Sequence, residues 1–112
     1  MRITEEKLGA VMVLTLSGRM DYHSSPEVHN ELVGHIDKPE PRLVLDLSET
    51  HYVSSAGLRV LLSVSQRIEQ EGGKCVLCAL GDPVLEVMKI GAFDHVLSIC
   101  EARDEAIARA LA

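Results

Sequence analysis

Two adjacent serines, Ser54 and Ser55, stand just ahead of Ala56-Gly57 and an aliphatic run that carries Leu58, Leu61, Leu62 and Ile68. That run recurs at helical spacing, so the serine pair sits at the mouth of an amphipathic helix. One serine of such a pair caps the helix by accepting a hydrogen bond from a backbone N–H two or three residues on. The other then occupies the first helical position with its hydroxyl toward solvent. A phosphate on that hydroxyl would meet unpaired N–H groups and the positive end of the helix dipole, which tolerate it. It would add a charge of about −2 to whatever surface surrounds it. Ala56 and Gly57 add almost no bulk, so another molecule can approach closely. Spacing alone leaves two readings open: a serine N-cap and nothing more, or a modifiable serine on a docking surface.

Other residue types offer less. His23, His29, His35, His51 and His95 are never three or four residues apart, so no helical metal pair forms locally. The sequence has no G-x-S-x-G, no P-loop, no G-x-G-x-x-G following a strand and no H-E-x-x-H. Asp21 and Asp46 are carboxylates whose separation the sequence does not set. Cys75 and Cys78 have the C-x-x-C spacing, but Lys74 to Leu80 reads as a buried strand. Its period of two points the two thiols to opposite faces, and no second ligand pair for zinc accompanies them. With Cys100, they read as three reduced, buried thiols of a cytoplasmic protein. No catalytic residue, metal or cofactor is expected, and the chain is read as a non-enzyme.

Charge narrows the partners. Eleven basic residues against seventeen acidic ones leave a net charge of −6. Such a chain lacks the basic face that a phosphate backbone requires, and anionic membrane surfaces repel it. Direct binding to nucleic acid and direct membrane insertion are therefore not expected. The opening residues Met1 to Glu6 contain no signal-peptide core, and no stretch approaches the length of a membrane span.

The elements that must position Ser54 and Ser55 are legible in outline. One domain over residues 1–112 fits the length. Aromatic residues make up only 3% of the chain, so the core is built from Val, Leu, Ile and Ala. Residues before Gly9 pair as a hairpin with the strand Val11 to Leu16, which Ser17-Gly18 closes. Ser24-Ser25-Pro26-Glu27 predicts a serine-capped helix carrying Val28, Leu32 and Ile36, stopped by Pro39 and Pro41. Leu43 to Leu47 is a buried strand, followed by a short loop to Ser54. The long helix runs to about Glu71, where Gly72-Gly73 ends it, with Arg59, Gln66, Arg67 and Gln70 facing water. After the Cys75 to Leu80 strand, Asp82-Pro83 starts a helix reaching Gly91. A strand around His95 to Ile99 and a terminal helix with Ile107 and Leu111 complete the order β-β-α-β-α-β-α-β-α. An α/β fold follows, with a mixed sheet of four to five strands and about four helices joined by right-handed crossovers.

The stretch Tyr52-Val53-Ser54-Ser55-Ala56-Gly57-Leu58-Arg59-Val60-Leu61-Leu62 resembles the signature of the STAS domain, shared by sulfate transporters and anti-sigma factor antagonists. Leu14 to Asp21 resembles that family's second strand with its Gly-x-x-Asp ending. Leu43 to Ser48 resembles its third strand, and Gly72-Gly73-Lys74 and the Val84 to Phe93 helix also fit. The resemblance runs through essentially the whole chain in order.

This resemblance implies a SpoIIAA-like fold and a binding module switched by phosphorylation. The modified serine falls on Ser55, with Ser54 a second candidate. The partner it implies is an anti-sigma factor that is also a serine kinase of the histidine-kinase-like ATPase fold, bound by the unphosphorylated form and released by the phosphorylated one. A serine phosphatase would reverse the modification. ATP and magnesium would belong to the kinase and not to this chain. Asp21, Ser54, Ser55, Ala56, Gly57 and Arg59 are assigned to the partner surface, with Gly57 and Leu58 shaping and anchoring the helix start. Two positions depart from the motif: Ser54 replaces its aspartate, and Ala56 replaces its second serine. The alternative is a STAS subunit of a lipid-transport ABC complex, or a stress-sensing scaffold, binding through the same helix mouth without a phospho-switch.

Overall fold

A computed structural model describes all residues 1–112. The chain opens with a hairpin in which β1 (Arg2–Leu8) pairs antiparallel with β2 (Val11–Met20). Its two-residue connection is possible because Gly9 takes a positive φ of 62°. Then follow α1 (Ser25–Val33), β3 (Arg42–Asp46), β4 (Thr50–Val53), α2 (Ser55–Gln70), β5 (Lys74–Cys78), α3 (Asp82–Ile90), a 3-10 turn at Phe93–His95, β6 (Ser98–Cys100) and α4 (Arg103–Leu111). The sheet order is β1-β2-β3-β5-β6, parallel throughout except for β1, and β4 pairs parallel with the far end of β2.

The mixed sheet and four helices match the sequence reading; the sixth strand, β4, does not. Thr50 to Val53 reads as loop because the segment is only four residues long and Val53 is its one aliphatic residue. It becomes a strand because β2 outruns its reading by four residues. Instead of closing at Ser17-Gly18, β2 shifts register between Gly18 and Arg19 and continues to Met20, offering β4 an edge. Gly18 holds φ 115°, a conformation other residues rarely adopt, and this makes the bulge possible.

Period-two alternation then sorts the side chains onto two faces. Leu14, Leu16, Leu43, Leu45, Cys75 and Leu77 face the larger core, which α1, α2 and α3 complete with Val28, Leu32, Leu58, Leu61, Val64, Ile68, Val84 and Met88. Val11, Val13, Val44, Val76, Cys78 and Cys100 face a smaller core roofed by α4. Cys75 and Cys78 thus lie on opposite faces, as their spacing requires, and all three cysteines are free and buried.

Several boundaries move. α1 ends at Val33 rather than continuing to the prolines, and Ile36 is buried from the turn beyond it. Gly81 caps α3, while Asp82 is already its first helical residue. The strand placed at His95 to Ile99 is a 3-10 turn followed by Ser98–Cys100. In α4 the buried residues are Ala106 and Ala110, and Leu111 is exposed. Small residues let that helix lie close on the sheet. α2 ends as expected, with the amide of Gly72 on the Glu69 carbonyl and that of Gly73 on the Ile68 carbonyl. These are the two bonds of a Schellman stop.

Candidate functional site

β4 delivers the serine pair. The Thr50 hydroxyl donates to the Leu16 carbonyl at 2.6 Å, and the Ser54 amide donates to the Met20 carbonyl at 2.8 Å. These bonds clamp both ends of β4 to β2 and place Ser54 where α2 begins.

Ser54 is the N-cap. Its backbone is extended (φ −83°, ψ 175°), its Oγ accepts from the Gly57 amide at 3.2 Å, and its carbonyl accepts from the Leu58 amide at 2.9 Å. Ser55 is then the first residue of α2 and is exposed. No side chain hydrogen-bonds its hydroxyl, so no general base is in contact with it. The amides of Ser55 and Ala56 have no intrahelical acceptor, as at any helix start. A hydroxyl in this setting is accessible to another molecule, and the helix dipole would favour a phosphate placed on it.

Gly57 is buried where α2 crosses the end of β2. A Cβ there would lie 2.8 Å from Met20 Cγ and 2.9 Å from the Met20 carbonyl oxygen. The glycine is thus needed for close approach, and Leu58 anchors the same turn in the larger core.

Asp21 follows Met20 directly. Its Oδ1 accepts from the amides of His23 and Ser24, both at 3.0 Å, while the Ser24 hydroxyl accepts from the Asp21 amide at 2.9 Å. The Ser24 amide is the main cause that lowers the Asp21 carboxyl pKa; burial opposes it, and the Ser24 hydroxyl and His23 add to the lowering. The sequence reading placed a serine cap on α1; Ser24 makes no such bond, because its hydroxyl closes this turn and donates to the Arg19 carbonyl at 2.8 Å. Asp46 has separate partners. It is buried beneath α4, 3.6 Å from the Arg103 guanidinium, so Asp21 and Asp46 do not act as a pair.

Around Ser55 the surface carries features the sequence did not announce. The Arg19 guanidinium stands 4.3 Å from the centre of the Tyr52 ring and 4.0 Å from the Asp21 carboxylate. Tyr22 is 78% exposed, unusual for an aromatic ring in a chain with so few. Between α1 and α2 a groove of about 340 Å³ is lined by Tyr22, Pro26, His29, Ala56, Arg59 and Val60, among others. A signal for the Arg19–Tyr52 contact did exist: both flank the site residues, but only the β2–β4 register makes them neighbours. No group of three or more His, Cys, Asp or Glu side chains is placed to hold a metal ion.

Known proteins share this architecture. A family model described as the STAS domain matches residues 2–106. BtrV of Bordetella bronchiseptica, a candidate anti-sigma factor antagonist, is 36% identical over 108 residues, covering 96% of this chain and 93% of BtrV. The crystal structure of an anti-sigma factor antagonist from Mycobacterium paratuberculosis superposes with a TM-score of 0.89 at 21% identity, covering 99% of this chain and 94% of the other. The Bacillus cell fate determinant SpoIIAA in its phosphorylated form gives a TM-score of 0.70 at 16% identity, covering 96% and 98%. At these identities the two structures speak to the fold.

Proposed function

The chain belongs to the STAS domain family, and from that premise we propose that it is an anti-sigma factor antagonist switched by phosphorylation of Ser55. The observation that carries this reading is the division of labour between the two serines. Ser54 is committed to capping α2, and Ser55 stands free and exposed beside a groove and an exposed tyrosine. The relative sharing more than a third of its residues with this chain bears the same functional name.

In this mechanism the unphosphorylated chain docks through the mouth of α2 and the turn after β2 onto an anti-sigma factor that is also a serine kinase. The kinase supplies ATP and magnesium, and this chain supplies only the acceptor hydroxyl. Phosphate on Ser55 brings about −2 charge to the mouth of α2, so docking is lost by desolvation and repulsion. Because the phosphate sits over free N–H groups, α2 keeps its fold, and a phosphatase restores the starting state. Asp21 contributes by shaping the docking turn, its carboxylate being already engaged with two backbone amides. No helix is long and apolar enough to cross a membrane, and the cytoplasm is the compartment this reading requires.

The test is affinity capture from the source organism with wild-type and Ser55→Asp baits, coupled to phosphosite mass spectrometry. Capture of an anti-sigma factor with a histidine-kinase-like ATPase fold by the wild type alone, with phosphate on Ser55, is the expected result. Equal capture by both baits with no phosphate on Ser55 would replace the switch with constitutive binding.

A further inference from the structure

We propose that Arg59 pairs in cis with the phosphate of phosphorylated Ser55, leaving the rim of the α1–α2 groove to do so. The proposal rests on Ser55 being the modified residue. Ser55 and Arg59 are separated by one turn of α2, an i,i+4 pair with the acidic partner on the N-terminal side. Cβ atoms in such a pair are about 5–6 Å apart, and this order of charges is the favourable one. Side chains on a helix lean toward its N-terminus, so the Arg59 side chain extends back over the turn that carries Ser55.

Arg59 is also uncommitted. It is exposed and makes no ion pair or side-chain hydrogen bond. Four of the other arginines are engaged, and the two that are not, Arg2 on β1 and Arg67 two turns farther along α2, do not line the groove. Arg19 lies over Tyr52 and beside Asp21. Arg42 donates to the Ala110 carbonyl. Arg103 pairs with Asp46 and Glu6, and Arg109 with Glu105. The ionisable side chains that share the groove with Arg59 are Tyr22 and His29, and no carboxylate lines it to compete for the guanidinium. Of the carboxylates adjoining the groove in sequence, Asp21 is already held by two backbone amides, and Glu27 and Glu31 are exposed residues of α1 that do not line it. A dianion on Ser55 would therefore find one free guanidinium within reach, besides the unpaired amides of the first turn.

The consequence is a local rearrangement without a change of fold. While Ser55 is free, the Arg59 guanidinium belongs to the groove. Once phosphate is present, it is drawn toward the helix mouth, and the groove loses its strongest cation at the moment the mouth gains a dianion.

The experiment uses the full chain with phosphoserine installed at position 55 by genetic-code expansion, alone and combined with Arg59→Gln or Arg67→Gln. Phosphorus NMR follows the second ionisation of the phosphate, which lies at about 6 for an unperturbed phosphoserine. In the otherwise wild-type chain the midpoint is expected below that value, and Arg59→Gln raises it by about 0.2–0.4 pH unit. Arg67→Gln removes an equally exposed charge two turns farther along and is expected to leave the midpoint in place. Identical midpoints with and without Arg59 overturn the pairing, and so does an equal rise on Arg67→Gln, which would report net charge alone. Since the phosphate is installed during synthesis, the titration does not depend on any kinase. Failure to find phosphate on Ser55 in cells would sink the functional reading while leaving this measurement intact.

Discussion

Gly57 of α2 and Met20 of β2 approach so closely that a methyl group on the glycine would lie 2.9 Å from the Met20 carbonyl oxygen. That carbonyl is the one that accepts the Ser54 amide. The glycine and the cap thus meet at one backbone atom, and the placement of Ser55 depends on both. Gly57→Ala should destabilise the fold by about 1–3 kcal/mol through overpacking, despite the better helix propensity of alanine. Urea denaturation measures it. Stability equal to wild type would show that α2 can slide off β2 without cost.

Ser54 and Ser55 should separate cleanly in stability measurements. Ser54→Ala removes the cap and is expected to cost about 0.5–2 kcal/mol. Ser54→Asp keeps a capping oxygen and should remain close to wild type, while Ser55→Ala alters an exposed hydroxyl and should stay within about 0.5 kcal/mol. A cost for Ser55→Ala matching that of Ser54→Ala would reverse the two assignments.

The three thiols should be inert in the native state. Burial pushes Cys75 up to about 11, with the Ser65 hydroxyl easing the shift slightly. Burial and the neighbouring Asp46 carboxylate push Cys78 up to about 11 as well. Cys100 is raised too, again chiefly by burial. A disulfide-exchange reagent at about pH 8 should label none of them until urea unfolds the chain. Because the folded state holds these protons more tightly than the unfolded state, stability should fall as pH rises from about 9 toward 11. Fast labelling of the native protein would show that the sheet opens locally.

Asp21 should titrate below the ordinary carboxylate value of 3.8, mainly because the Ser24 amide donates to it. A depressed carboxyl stabilises the fold above its unfolded pKa, and the contribution is lost as pH falls through the lower folded value. Carbon NMR of the Asp21 carboxyl gives the midpoint, and the amides of His23 and Ser24 should report the same transition. Asp21→Asn keeps an acceptor and should preserve the turn, whereas Asp21→Ala should speed hydrogen exchange at both amides. A midpoint at or above 3.8 would detach the turn from the carboxylate.

Much of this is legible in residue order alone. Alternating and four-residue periodicities located the hairpin, β3, β5 and the long helix, because burial on one face is written directly into residue order. The glycine pair after α2 and the serine pair before it marked its ends through local backbone chemistry, which needs no distant partner. The opposite facing of Cys75 and Cys78 followed from strand geometry alone. What only the tertiary structure decided was whatever depends on a neighbour remote in sequence. β4 has too few apolar residues to declare itself and exists because β2 bends at Gly18 and offers it an edge. Ser24 has the chemistry of a cap but spends its hydroxyl on the turn held by Asp21 and on the Arg19 carbonyl. Gly57 looked like a residue of low bulk at a helix start; its contact with Met20 shows that the bulk it lacks is what lets the helix mouth reach the sheet. Local sequence sets which groups can bond, but long-range packing sets which of them are close enough to do so.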